Sequence, residues 1–305
     1  MRTSSAAPRA LDLTGHTCVV TGAAQGIGAA EARLLARRGG AVLCADRSDT
    51  ATLVDAIRDE GGAALSWQGD LTERGAAEDV LAAAQSLGRP ISVLVNNAGI
   101  VRDRMVFNLD DDDWDTVLAV NLTAPFRLCR ALSRHWRAQP RRAGRRIVNT
   151  SSESGLYGNA GQSNYAAAKA GLASLTLTLA AELARYGVCV NAIAPRARTP
   201  MSEAAFGALP AGGDALSAEQ VATLVAWLAG PSGEDVTGQV FVVAGHTVRR
   251  MTTWSPRHTA RQPEDWSAAT AGRFRADLFQ GESTRHEPAP ISALFTGDDP
   301  QEIPA

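Results

Sequence analysis

The chain has 305 residues, 45% of them hydrophobic and 20% charged, a length and composition that bury a substantial core and exclude global disorder. Thirty basic against thirty-two acidic side chains give a net charge of -2, which excludes the broad cationic field of a nucleic-acid or anionic-lipid binder. Cys18, Cys44, Cys129 and Cys189 are too widely spaced for a metal-ligand pair and too few for a disulfide framework, so buried thiols are expected.

In chain order, residues 17–21 (Thr-Cys-Val-Val-Thr) form a short β-branched run. Gly22-Ala-Ala-Gln25-Gly26-Ile27-Gly28 and an alanine-rich stretch to about Arg38 follow, which reads as strand, tight turn and helix. Apolar runs near 41–45, 63–68, 91–95, 146–150, 188–193 and 239–243 read as further strands, separated by helical segments near 50–60, 72–87, 115–137, 163–185 and 217–229. That alternation predicts an α/β fold with a doubly wound parallel sheet and helices on both faces. No linker divides residues 12–245, so one domain is expected there, preceded by a flexible N-terminus at 1–11. Pro200 to Gly213, rich in small residues, reads equally as a lid or as a plain solvent loop. Trp254, Trp266, Phe274 and Phe279 supply apolar surface for a docking extension at 246–280, and the polar, proline-rich 281–305 reads as a mobile tail. No export signal or membrane-length apolar run is visible, so the cytoplasm is the expected location and no membrane partner is expected.

The glycine turn lets backbone approach a pyrophosphate, and the following helix opens with unpaired N–H groups and the positive end of its dipole. Asp46, at the end of the second strand, can accept hydrogen bonds from both ribose hydroxyls and repel a 2′-phosphate, favouring NAD over NADP. Arg47 beside it offers the opposite preference. Lys169 is the only lysine among the thirty basic residues, and Tyr165 is one of three tyrosines. Four residues apart on a helix, the two share a face.

Seven ordered motifs resemble the short-chain dehydrogenase/reductase family over residues 12–245. They are Thr21-Gly22-x-x-x-Gly26-Ile27-Gly28, Asp70-Leu71, Asn96-Asn97-Ala98-Gly99, Asn121, Ser151-Ser152, Tyr165-x-x-x-Lys169, and Asn191-Ala-Ile-Ala-Pro195 with Thr199. The resemblance implies a Rossmann-like fold, a catalytic group of Asn121, Ser152, Tyr165 and Lys169, and assembly as a homotetramer or homodimer through the helices near 115–137 and 163–185. It also implies that Asp70 binds the adenine side, Asn97 the cofactor ribose region and Thr199 the nicotinamide carboxamide. Leu71, Ala98, Gly99 and Pro195 belong to the same cofactor-binding motifs. The family's serine stands thirteen residues before its tyrosine, which selects Ser152 and leaves Ser151 structural. Arg196 departs from the glycine that many relatives carry after the proline, so a side chain there narrows the pocket or binds an acidic group.

In that family's chemistry, Tyr165 exchanges a proton with a secondary alcohol at neutral pH. Its phenol must then titrate near 7 instead of near 10, a difference of about 4 kcal/mol. Lys169 and a positive nicotinamide ring would favour the phenolate, Ser152 would position the substrate oxygen, and Asn121 would hold a water linking Lys169 to solvent. The stretches Val101-Arg-Asp-Arg-Met and Ser154-Gly-Leu-Tyr-Gly-Asn resemble enzymes of 3-hydroxyacyl and 3-oxoacyl thioesters, the first expectation for substrate. A steroid or natural-product alcohol is the alternative, and a non-catalytic nucleotide-binding module or a dehydratase or epimerase is a different class. Asp110 to Asp113 read as helix N-terminal acids, with no metal site expected. Arg134 to Arg146 read as a solvated basic connection, or as an attractor of phosphopantetheine or coenzyme A.

Overall fold

The computed structural model describes residues 11–199, 216–252, 254–260 and 274–283. The loop 200–213, Trp266, most of the N-terminal segment and most of the tail lie outside these residues. The chain divides into two compact units, one through Arg250 and one from Met251 onward.

The first unit is built on an eight-stranded sheet: β1 (Thr17–Thr21), β2 (Ala41–Asp46), β3 (Ala63–Gln68), β4 (Ile91–Asn96), β5 (Arg145–Thr150), β6 (Val188–Arg196), β7 (Val240–Ala244) and β8 (Thr247–Arg250). Their spatial order is β3-β2-β1-β4-β5-β6-β7-β8. The first seven are parallel, and β8 runs antiparallel to β7. The inner strands are buried on both faces, which is why β1, β4 and β7 are continuous apolar runs without alternation. At the edge, β3 alternates between buried and open positions.

Helices α1 (Gly26–Arg37), α2 (Ala51–Asp59), α3 (Ala76–Gln85), α4 (Asp111–Leu118), α5 (Ala124–Arg137), α6 (Glu153–Tyr157), α7 (Ser163–Leu183) and α8 (Ala218–Ala229) cover the sheet. One core packs Val20, Val93, Val148 and Ile193 against α1, α2 and α8. The other packs Val19, Leu94, Ile147 and Val190 against α3, α5 and α7. Neighbouring strand residues serve opposite cores, as a pleated strand requires. In the second unit, α9 (Phe274–Phe279) is followed by Glu282, which pairs with Arg257 and His258.

Four features depart from the sequence-based expectations. The helix expected over 115–137 is two helices joined by a π-turn at Ala119–Thr123, and it begins at Asp111 because the Asp110 carboxylate accepts from Asp113 N at 2.7 Å. β8 lies beyond the boundary expected at 245: Ala244 pairs with Thr247, leaving Gly245 (φ 53°) and His246 as a two-residue turn. Arg145 and Arg146 do not belong to a solvated connection; both open β5 and are only 3% exposed. Arg145 donates to Tyr186 O and Pro140 O, and Arg146 to Arg145 O, which repays part of their desolvation. Of the four thiols, Cys189 is half-buried while the other three are buried, and all four are free.

Candidate active site

The chain adds β2 and β3 on one side of β1 and β4 to β8 on the other. β1 and β4 therefore flank the switch point, where an open α/β sheet leaves a crevice at the carboxyl ends of its strands. Two loops leave that edge side by side. Thr21 Oγ1 donates to Val95 O and accepts from Asn97 N and Ala98 N at 3.0 and 3.1 Å, while Asn97 Nδ2 donates to Thr21 O and Gly22 O at 3.0 and 3.3 Å. Asn97 thus stitches the glycine turn to the end of β4. A Cβ on Gly22, whose φ is 67°, would sit 2.8 Å from Ala98 Cα, so only glycine allows the loops to approach this closely.

The turn has the properties of an anion cradle. Gln25 holds the N-cap position of α1 with an extended backbone but makes no side-chain cap bond, and no acidic residue occupies the first turn. The first amides of α1, at Gly26, Ile27 and Gly28, are donors for a pyrophosphate. Ile27 packs against the first core and fixes the helix on the sheet. Asp46 leans over the turn, its Oδ2 accepting from Ala24 N at 3.0 Å and its Oδ1 from Ser48 N at 2.8 Å. Arg47 is exposed, and its charge helps to hold the Asp70 carboxyl low, after the two hydrogen bonds that Asp70 accepts from Thr72. Leu71 anchors this segment in the second core. These residues fit a dinucleotide: backbone donors for its phosphates and a carboxylate pair on its adenosine side.

At the carboxyl ends of β4, β5 and β6 the remaining motif residues converge. Asn121 is fully buried in the π-turn, where Nδ2 donates to Ile100 O and Val117 O at 2.9 Å and Oδ1 accepts from Ile100 N at 3.3 Å. A π-turn inside a helix pair is a recurrent mark of functional positions. Gly99 lies between Asn121 and Lys169, since a Cβ there would be 2.7 Å from Asn121 Oδ1 and 3.4 Å from Lys169 Nζ. Lys169 is 2% exposed, and its Nζ donates to Thr150 O at 2.7 Å and stands 5.6 Å from the centre of the Tyr165 ring. Burial pulls its ammonium down to about 7.

The Ser152 hydroxyl favours the Tyr165 phenolate and also caps α6, accepting from Ser154 N at 3.2 Å. Ser151 turns the other way, donating to Lys169 O at 2.8 Å. The Tyr165 phenol is pushed up by burial and further by the Asp103 charge, while the Ser152 hydrogen bond opposes this. The sequence reading expected Lys169 to lower the phenol. In the structure its Nζ donates to Thr150 O, and burial disfavours its charged form. Pro195 lies in β6 opposite Val243, and Thr199 is half-buried three residues past the strand.

Sequence reasoning missed several supporting groups. Gln162 precedes α7 and joins the loop after β4 to α6, donating to Asp103 Oδ2 at 2.9 Å and accepting from Ser154 Oγ at 2.7 Å. Asn149 and Thr176 join the motif residue Asn96 in a buried chain from β4 through β5 to α7. Glu153 forms an ion pair with Arg196. Ordinary sequence signals do not reveal them, because each is one polar residue whose partner is distant in the chain.

The family model for short chain dehydrogenases matches residues 16–208. The chain belongs to the short-chain dehydrogenase family. It is 44% identical to the hydroxyacyl-CoA dehydrogenase ChsB1 of Mycobacterium tuberculosis, over 95% of this chain and 92% of that one. It is 38% identical to the 3-oxoacyl-[acyl-carrier-protein] reductase FabG of Vibrio cholerae, over 77% of this chain and 98% of the reductase. The crystal structure of a short chain dehydrogenase from Mycobacterium avium superimposes with a TM-score of 0.81 at 38% identity, over 92% of this chain and 98% of that one. This short-chain dehydrogenase is therefore an oxidoreductase with a Rossmann-like sheet, and its family uses NAD(P).

Proposed function

We propose that this enzyme transfers hydride between NAD(H) and the 3-position of a hydroxyacyl or oxoacyl thioester. The observation that carries the reading is the buried Lys169, whose Nζ stands 5.6 Å from the centre of the Tyr165 ring, with Ser152 just past the end of β5 beside them. The nicotinamide supplies or accepts the hydride when bound. Ser152 donates to the substrate oxygen and holds it against the phenol. Tyr165 delivers the proton to that oxygen during reduction and removes it during oxidation. Asn121, beside Lys169 at Gly99, holds the water through which Lys169 exchanges protons with solvent. The names of the hydroxyacyl-CoA and oxoacyl carrier-protein relatives support the thioester.

Asp46 supports NAD over NADP, because a 2′-phosphate beside this carboxylate meets like charge. Titration with NADH and NADPH, followed by energy transfer from tryptophan, is expected to give at least roughly tenfold tighter binding of NADH. Tighter NADPH binding would assign the adenosine site to Arg47. Turnover of 3-oxoacyl thioesters is the companion assay, and turnover restricted to polycyclic secondary alcohols would overturn the substrate assignment.

The outer faces of α5 and α7 support assembly with a second copy. Between them runs an exposed groove lined by Leu122, Phe126, Gly171, Leu175 and Thr178, and Phe126 is 41% exposed. Ser163–Tyr186 is apolar and long enough to cross a membrane. Because α7 packs its inner face on β5 and β6, a homodimer or homotetramer contact accounts for the apolar outer face.

A further inference from the structure

α6 is a five-residue helix placed where small errors matter. Its N-cap is Ser152, so the hydroxyl that meets Tyr165 is also the group that terminates α6, and tilting the helix moves that hydroxyl. One side of α6 presses on the backbone that carries Lys169: a Cβ on Gly155 would lie 2.6 Å from Ala170 N and 2.7 Å from Lys169 C. Two side chains of α6 fasten it further: Ser154 donates to Gln162, and the Glu153 Oε2 meets Arg196 Nε at 3.2 Å. Arg196 ends β6, one residue after Pro195 and three before Thr199, the segment assigned above to the nicotinamide side. The Glu153 and Arg196 side chains are only 8% and 19% exposed. Tyr157 at the end of α6 also feels the charges of Glu153 and of Arg249 on β8.

We propose that Glu153 and Arg196 form a positioning pair, clamping α6 to the end of β6 so that the Ser152 hydroxyl stays in register with Tyr165 and the nicotinamide-side segment. Neither residue touches reacting atoms; they act through Ser152. Burial raises the Glu153 carboxyl and the Arg196 guanidinium opposes part of that effect, so the pair depends on their contact. Loss of Arg196 removes the ion-pair partner of the Glu153 carboxylate in a buried place. The role of Arg196 is thereby specified: its guanidinium spans two elements of the site, and it is not proposed as a receptor for an acidic substrate group.

The kinetic part of this inference rests on the oxidoreductase reading, so the test has an arm that needs no substrate. Amide hydrogen exchange across residues 152–157 of the full chain is compared for wild type, Arg196→Met, Arg196→Lys and Glu153→Gln. Arg196→Met and Glu153→Gln are expected to speed exchange at Ser154 and Gly155 by roughly tenfold, with exchange in the inner strands unchanged, and Arg196→Lys is expected to restore most of the protection. In turnover, the same two variants are expected to lose about 10- to 100-fold in kcat, with KM and NADH affinity within about threefold and partial rescue by lysine. Unchanged exchange at Ser154 and Gly155, or a loss spread evenly over the whole sheet, overturns the proposal. Failure of wild type to turn over any acyl thioester overturns the substrate reading alone, because the exchange arm still decides whether the clamp exists.

Discussion

Glu31 is the residue least expected from a helix pattern. It lies on the buried face of α1, is 0% exposed, and neither carboxyl oxygen has a hydrogen-bond partner. Burial holds its carboxyl well above the ordinary carboxylate value. Its folded pKa thus exceeds its unfolded value of about 4.3. The associated stability is complete below the unfolded pKa and is lost as pH rises through the folded one. Glu31→Leu removes an unsatisfied buried group worth about 1–3 kcal/mol. The variant is expected to melt several degrees above wild type, with the gap widening from pH 4 to pH 8 in calorimetric scans. A lower melting temperature at pH 8 would show that Glu31 has a partner which stabilises its charge. The residues of the site were more legible than this one. Tyr165, Lys169 and Ser152 stand in fixed spacing, and each belongs to a motif that chemistry demands, whereas Glu31 breaks the apolar pattern without a motif to explain it.

At the scale of elements, the central strands were readable because burial on both faces leaves an unbroken apolar run. Two elements escaped for physical reasons. Thr247–Arg250 is a polar edge strand whose exposed side chains carry no apolar period. α6 is a single turn of helix held by its cap and by Gly155 packing on α7, contacts that local propensity does not register. The π-turn was also illegible: Ala119–Thr123 continues the helical period, and only the folded backbone shows the wider turn that carries Asn121. The groove between α5 and α7 provides a test at this scale. Leu175→Glu places a charge in that apolar face and is expected to reduce the mass in sedimentation to that of a single chain, while wild type sediments as a dimer or larger. A wild-type monomer, or a variant that assembles normally, would remove the proposed contact.

For the whole molecule, the sheet order explains why one edge carries the chemistry. The reversal between β1 and β4 opens the crevice where the glycine turn and Asn97 meet, and the ends of β5 and β6 bring Ser152 and Arg196 to the same edge. The seven motifs named in sequence order are spread over more than half the chain, and the fold gathers them at one end of the sheet. What sequence could not convey is the electrostatic balance inside that edge. Tyr165 lies above its ordinary pKa and Lys169 lies near 7, in each case chiefly because burial disfavours the charged form. With burial raising the phenol, the positive charge of an oxidised nicotinamide would favour its phenolate, so proton transfer would be coupled to cofactor binding. The central claim is that Tyr165 carries the proton in a hydride-transfer reaction on this edge. The most direct measurement is Tyr165→Phe, assayed for turnover of a 3-oxoacyl thioester with NADH and, in parallel, for NADH affinity. The account predicts at least roughly a 100-fold loss in kcat with affinity near that of wild type, whereas turnover close to wild type with NADH still bound would contradict it.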